Sequence, residues 1–209
     1  IMRRMVARES TKNYNQLFTE RFISNQLLTQ QDLVNYVESR GEGVNEYPTD
    51  DKLRQGFDNS IIVNKQTAGI IYFIESKIRD RNKQATQLLG LSKYSLEHLM
   101  PKKWPNKWPS VTGPEAKDYR NQKLKTLGNL AIITQSLNSS IRDANWPAKK
   151  SGSGNKPGLK HFSGGIETLS PYLEIHEWNE EEIKTRATDL YNFALKMWPT
   201  YPSSSTSNS

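Results

Sequence analysis

Three short segments hold the residues able to do chemistry. Ser95-Leu96-Glu97-His98-Leu99-Met100-Pro101 sets a carboxylate beside an imidazole, Leu127-Gly128-Asn129-Leu130-Ala131-Ile132-Ile133-Thr134 sets an amide at the mouth of an apolar run, and Leu137-Asn138-Ser139 adds a second amide. An imidazole titrates near pH 6.5, so its neutral form can take a proton from water. Carboxylate and amide oxygens are donors that hard divalent ions accept, and such an ion can neutralise charge on phosphoryl oxygens. Groups of these types can together hydrolyse a phosphodiester. Each alone has an ordinary explanation. Glu-His pairs are common, Gly-Asn before an apolar run marks a turn, and an Asn at a helix start caps it. The information lies in their order and in the sequence around them.

That surrounding sequence is basic. From His98 to Lys160 there are twelve Lys or Arg and three acids, a net of +9, whereas the whole chain carries +7, so the remaining residues sum to −2. Positive charge concentrated in one segment is the footprint of a polyanionic partner. Lys102, Lys103, Lys107, Arg142, Lys149 and Lys150 are the candidate phosphate contacts. Trp104 and Trp108 can touch a sugar or base, but at least one is expected to pack as a lid on a small core. His161 and His176 stand outside the three segments and are read as surface or core residues.

Local signals assign the elements that must position these groups. Tyr94 to Met100 reads as a short strand, the three-proline stretch Pro101 to Pro109 as a loop, Pro114 to Lys125 as a helix and Leu130 to Thr134 as a second strand. Ser139 to Lys150 reads as a polar helix or turn, and Ser151 to Gly158 as a flexible loop. Upstream, Thr11 to Arg40 reads as helical, with Thr29 capping a helix from Gln30 and Gly41-Glu42-Gly43 ending it. Thr49 precedes a short helix bearing Leu53 and Phe57, and Ile70, Ile74 and Ile78 mark one from Gln66 to Arg81. Asn179 opens the last helix, with Ile183, Ala187, Leu190, Tyr191 and Ala194 on one face, and Pro202 to Ser209 reads as a disordered tail.

Composition narrows the classes further. The chain has 209 residues, 34% of them hydrophobic and 10% aromatic, with a mean hydropathy of −0.78. That describes a folded domain with a modest core. With no cysteine, disulfides, thiolate zinc sites and cysteine nucleophiles are excluded. No apolar run reaches the roughly 20 residues a membrane span needs. Ile1-Met2-Arg3-Arg4 leads into polar sequence, without the pattern of a signal peptide. The expectation is a cytoplasmic piece of a longer protein, with no membrane partner.

The order of strand with Glu-His, long basic loop, strand opened by Gly-Asn, then Asn at a helix resembles the ββα layout of HNH (His-Me finger) nucleases. More specifically, the chain resembles the C-terminal nuclease domain of modification-dependent restriction enzymes of the GmrSD type. Glu97-His98-Leu99-Met100-Pro101 matches that family's Glu-His-Ile-x-Pro. Leu127 to Thr134 matches its Leu-Gly-Asn-Leu-x-x-Leu-Thr with Ile133 for Leu, and Leu137-Asn138-Ser139 follows as in the family. The usual Phe-x-x-Lys-Lys is Trp146-Pro147-Ala148-Lys149-Lys150 here, which requires Pro147 to lie at a helix start or a break. Outer resemblance at Tyr47-Pro48-Thr49-Asp50 and at Trp178, Ile183, Arg186 and Leu190 extends it over most of the chain.

The resemblance implies His98 as the general base, Glu97 and Asn138 as holders of Mg²⁺ or Mn²⁺, and Asn129 in a supporting catalytic role. It implies a mainly α (α+β) fold, a helical domain with an embedded ββα-metal hairpin. The expected divisions are a helical scaffold over 1–90, a nuclease core over 91–160, a helical part over 161–200 packing on the scaffold, and a tail over 201–209. It further implies nicking or cleavage of double-stranded phage DNA, within a protein whose NTPase or sensor domain precedes this chain. The other readings are a DNA-binding module with an inactive site, an RNA nuclease, and a structural partner for the NTPase. One geometric demand follows. Neighbours in a regular strand point to opposite faces, so Glu97 and His98 share a site only if the strand twists or bulges there.

Overall fold

Two five-residue strands carry the centre of the molecule. Strand β1 (Tyr94–His98) pairs antiparallel with β2 (Leu130–Thr134), in a register running from Tyr94 opposite Thr134 to His98 opposite Leu130. Helix α6 (Gln135–Ile141) follows β2 at once, because Thr134 leaves the strand in an extended conformation and its hydroxyl accepts from Leu137 N. The rest is mainly helical, with one further two-stranded antiparallel sheet among the described residues. The computed structural model describes residues 1–10, 12, 14–39, 47–79, 88–161 and 166–200.

Upstream of the hairpin lie α1 (Met2–Val6), α2 (Gln30–Ser39), α3 (Asp50–Asn59) and α4 (Asn64–Ile78). The helical stretch expected over 11–40 is not continuous. A wide-turned π-helix, Gln16–Ile23, gives way to a break before α2. Thr29 and Asp32 form a reciprocal cap there: Asp32 N donates to Thr29 Oγ1 at 3.1 Å, and Thr29 N donates to Asp32 Oδ2 at 3.1 Å. Thr49 caps α3 by accepting from Lys52 N. Gly41-Glu42-Gly43, the last two residues of the stretch expected over 66–81, and the tail over 201–209 lie outside the described residues.

Downstream come α5 (Pro114–Lys123), α7 (Trp146–Ser151) and α8 (Glu180–Met197). Pro147 sits in the first turn of α7, where its missing N–H costs nothing. Asn179 accepts from the N–H groups of Glu181 and Glu182 to open α8. The segment expected as a flexible loop, Ser151 to Gly158, holds a tight hairpin instead, β3 (Gly152–Ser153) against β4 (Lys156–Pro157). Gly152 at φ 92° and Gly154 at φ 57° adopt left-handed conformations, so here glycine builds a turn.

One hydrophobic cluster joins these parts. It runs from Val6 through Phe57 of α3 and Ile70, Ile71 and Ile74 of α4 to Leu130 and Ile132 of β2 and Leu190 of α8. Each such side chain contributes about 1.5–3 kcal/mol when fully buried. Helices α4 and α6 cover opposite faces of the hairpin: Tyr94 meets Tyr72 of α4 at a ring separation of 6.1 Å, while Ser95 meets Asn138 of α6.

Candidate active site

The site is built outward from the turn that precedes β2. Leu127–Asn129 forms a single 3₁₀ turn, and Gly128 lies directly against α8. A Cβ at Gly128 would stand 2.0 Å from the carbonyl oxygen of Ile183, so only glycine permits this approach. Arg186 of α8, fully buried, reaches across and donates to the carbonyls of Gly128 at 2.9 Å and Leu130 at 2.8 Å. It also donates to Thr168 O at 3.0 Å, and the amide of Thr168 donates to the buried carboxylate of Glu75 at 2.8 Å. Helices α4 and α8 are thereby tied to the start of β2 by charge-assisted hydrogen bonds.

Asn129 is fully buried and uses its amide completely. Its Oδ1 accepts from Met100 N at 2.8 Å and from Trp178 Nε1 at 2.9 Å. Its Nδ2 donates to Met100 O and Leu124 O, both at 2.9 Å. Its backbone carbonyl accepts from Leu99 N at 2.9 Å. One residue therefore pins both polar groups of Met100, two positions beyond His98. Sequence reasoning gave no role to Trp178, although its place just before the last helix cap was visible.

His98 is the last residue of β1 and is half-buried. Burial first, then the charges of Lys102 and Lys149, lower its pKa to about 4, so the imidazole is neutral at pH 7. Among the described residues neither ring nitrogen has a hydrogen-bond partner. The ladder keeps its register through Glu97 and His98 without a bulge, so alternation turns the two side chains to opposite faces of β1. The twist or bulge that a shared site demands is absent, so the regular strand does not bring the Glu97 and His98 side chains to one face.

Glu97 is buried on the α6 side and forms an ion pair with Lys149 of α7. Lys149 has no exposed surface, and its Nζ also donates to the carbonyl of His98 at 2.7 Å. Burial pushes the Glu97 carboxyl above its usual range and the Lys149 ammonium below its own, while each charge pulls the other back. Asn138 lies on the same side of β1: its Nδ2 donates to Ser95 Oγ at 2.9 Å, and Ser95 shares a strand face with Glu97. Among the described residues Asn138 Oδ1 receives no hydrogen bond. Nor do any three His, Asp or Glu side chains converge among the described residues. An ion here would rest on Glu97 and Asn138, with solvent or phosphate oxygens completing its shell. The Glu97 carboxylate and Asn138 Oδ1 are oxygen donors of the type a hard cation accepts, and the ammonium of Lys149 occupies the carboxylate.

The other basic candidates separate into two groups. Lys102 and Lys103 are exposed just past Pro101, and Lys102 is close enough to act on the His98 charge. Lys107 is exposed and pairs with Asp143 at 3.2 Å, beside exposed Arg142 at the end of α6. Trp108 Nε1 donates to Ala144 O at 3.1 Å, so the basic loop and the end of α6 form one surface. Lys149 lies inside, and half-buried Lys150 donates to Ile175 O at 2.8 Å. Trp104 and Trp108 are both buried; Trp104 Nε1 donates to Asn121 Oδ1 at 2.9 Å and its ring lies 4.6 Å from the Arg120 guanidinium. Both are lids on the core.

Among the described residues no helix is long and apolar enough to cross a membrane. A family model described as GmrSD restriction endonucleases, C-terminal domain, matches residues 47–193. No curated protein and no solved structure matches the chain.

Proposed function

The chain belongs to the family of GmrSD restriction endonuclease C-terminal domains, and we propose that it is the cutting domain of such an enzyme, an HNH nuclease that nicks or cleaves double-stranded foreign DNA with Mg²⁺ or Mn²⁺. In this reading His98 is the general base, Glu97 and Asn138 hold the ion, and Asn129 positions the base. What supports it is the place of His98 at the end of β1, where Asn129 pins the backbone just beyond it and burial holds the half-buried imidazole neutral.

A water beside the phosphate gives its proton to His98. The neutral ring can accept it, and a general base of this kind accelerates cleavage by about 10²–10⁴-fold. The regular strand turns His98 and Glu97 to opposite faces, so this reading requires the end of β1 to twist when a phosphate binds there. Glu97 and Asn138 would hold a divalent ion, which would supply stabilisation of charge on the phosphoryl and leaving oxygens. Lys102, Lys103, Lys107 and Arg142 contact the DNA backbone, which sets affinity without reading sequence. The sensor of DNA modification belongs to another part of the protein.

Relaxation of supercoiled plasmid by this chain, with Mg²⁺ and with EDTA, is the test. Cutting that survives EDTA, or that His98→Ala leaves intact, sinks the reading. The Lys149–Glu97 pair favours a second reading, a DNA-binding module whose cation site is plugged by lysine. The same assay separates the two, because the module binds plasmid without relaxing it under either condition.

A further inference from the structure

Lys149 is expected from its sequence neighbourhood to be one more surface cation, yet it is the most enclosed lysine near the site. Its side chain has no exposed surface, its Nζ meets the Glu97 carboxylate, and the same ammonium donates to the His98 carbonyl at 2.7 Å. The Glu97 side chain is itself 8% exposed. Two charges are placed out of water only when each compensates the other, and removing one strands its partner. Helix α7 delivers this ammonium rigidly. Asn145 caps it by accepting from Ala148 N at 3.1 Å, Pro147 fixes its first turn, and Trp146 is buried at its start against Trp178 at a ring separation of 5.3 Å.

We infer that Lys149 is a built-in stand-in for the metal ion: it holds Glu97 while the site is empty and gives it up when a divalent cation binds. This rests on the proposal that Glu97 is a metal ligand. An ammonium and a divalent ion on one desolvated carboxylate repel each other strongly, since little water screens them. The ammonium keeps a second acceptor, the His98 carbonyl, so leaving Glu97 does not strip it of hydrogen bonds. The arrangement has two consequences. The metal-free site stays ordered, with Glu97 and the end of β1 held in place. And the affinity for the ion is lowered by the exchange, so the free domain carries little metal until other ligands, such as a DNA phosphate, add to the shell.

The experiment measures Mn²⁺ binding to the protein without DNA, by electron paramagnetic resonance of free Mn²⁺. Glu97→Gln should abolish binding, and Lys149→Met should tighten it by about tenfold, the scale on which a neighbouring partner tunes metal affinity. Lys149→Arg, which keeps a cation, should bind as weakly as wild type. A second measurement needs no variant: acetylation of native protein followed by mass spectrometry should find Lys149 protected without Mn²⁺ and reactive with it. If Lys149→Met binds Mn²⁺ no more tightly while Glu97→Gln still abolishes binding, Lys149 is not a stand-in and the metal site survives. Should Lys149→Met fail to fold, equal protection of Lys149 with and without Mn²⁺ overturns the inference. If Glu97→Gln leaves Mn²⁺ binding unchanged, the metal-site assignment fails and takes the inference with it.

Discussion

The two sides of His98 are built by different rules. On the side of α8, the turn Leu127–Asn129 is dry and closely bonded: Asn129 makes four side-chain hydrogen bonds, Arg186 donates to four carbonyls, and Gly128 lies against Ile183. On the side of the basic loop, Lys102, Lys103, Lys107 and Arg142 are exposed and hold few fixed partners. The dry side costs ordering and desolvation and returns a fixed geometry. The wet side leaves charge free to meet a polymer whose phosphates vary in position. The site thus joins a rigid support to an adaptable rim, a combination suited to the proposed hydrolysis of a phosphodiester backbone.

This contrast predicts that damage near the chemistry reads as turnover, damage to the support as both turnover and stability, and damage to the rim as DNA affinity and its salt dependence. The largest effect is expected at His98. His98→Ala should cut the rate of plasmid relaxation by about 10²–10⁴-fold, while DNA affinity and the melting temperature stay near wild type. A variant that keeps more than about a tenth of the rate contradicts a general base.

Asn129→Ala comes next. It leaves Met100 N, Met100 O, Leu124 O and Trp178 Nε1 without their partner in a buried place. Each stranded group costs about 1–3 kcal/mol, with relaxation and water offsetting part of the sum. A net loss of about 3 kcal/mol lowers the melting temperature by roughly 6–12 °C in a domain of this size. Turnover should fall with it, while the Mg²⁺ concentration for half-maximal rate hardly moves. Calorimetry and a metal titration on the same variant check this, and an unchanged melting temperature breaks the contrast between the two sides.

Asn138→Ala sharpens it from the other direction. Asn138 is only partly buried and gives its Nδ2 to Ser95 Oγ and Leu96 O. Its loss should leave stability nearly intact and raise the half-maximal Mg²⁺ concentration by about tenfold or more. If Asn129→Ala shifts the metal curve and Asn138→Ala does not, the two asparagines have been given each other's roles.

The rim is expected to have the smallest effect on turnover, and its loss lowers DNA affinity whatever the sequence, most at low salt. Replacing Lys102, Lys103 and Lys107 together by Gln should leave the fold and the metal curve unchanged. The slope of log affinity against log salt should flatten by about 0.9 for each duplex phosphate that is no longer neutralised. Filter binding over a range of salt measures it, and an unchanged slope puts the DNA on another face.

Much of this arrangement is legible in the residues themselves. Strand β2, the caps at Thr49, Thr29 and Asn179, and the strand that ends in Glu97-His98 all follow from signals a few residues long. Side-chain alternation, capping hydroxyls and turn residues act between near neighbours, so they leave local marks. The bond from Asn129 across to the chain beyond His98 is also inferable, because a Gly-Asn turn at the mouth of a strand must face the end of its partner. Reading Ser151 to Gly158 as flexible fails for a related reason. Glycine is permissive of both disorder and left-handed turns, and only the pairing of Gly152 with Pro157 decides between them.

What the tertiary structure alone decided concerns groups far apart in the chain. Lys149 and Glu97 are separated by 52 positions, Trp178 and Asn129 by 49, and Arg186 reaches Gly128 across 58. A lysine in a basic segment reads as a surface charge, because isolated burial of an ammonium costs several kcal/mol. Its placement inside depends on a carboxylate that only folding brings to it. Composition and motif could name the atoms suited to chemistry. Which of them are neutral, which are paired and which face water depends on the dielectric each one is packed into, and that is set by long-range contact.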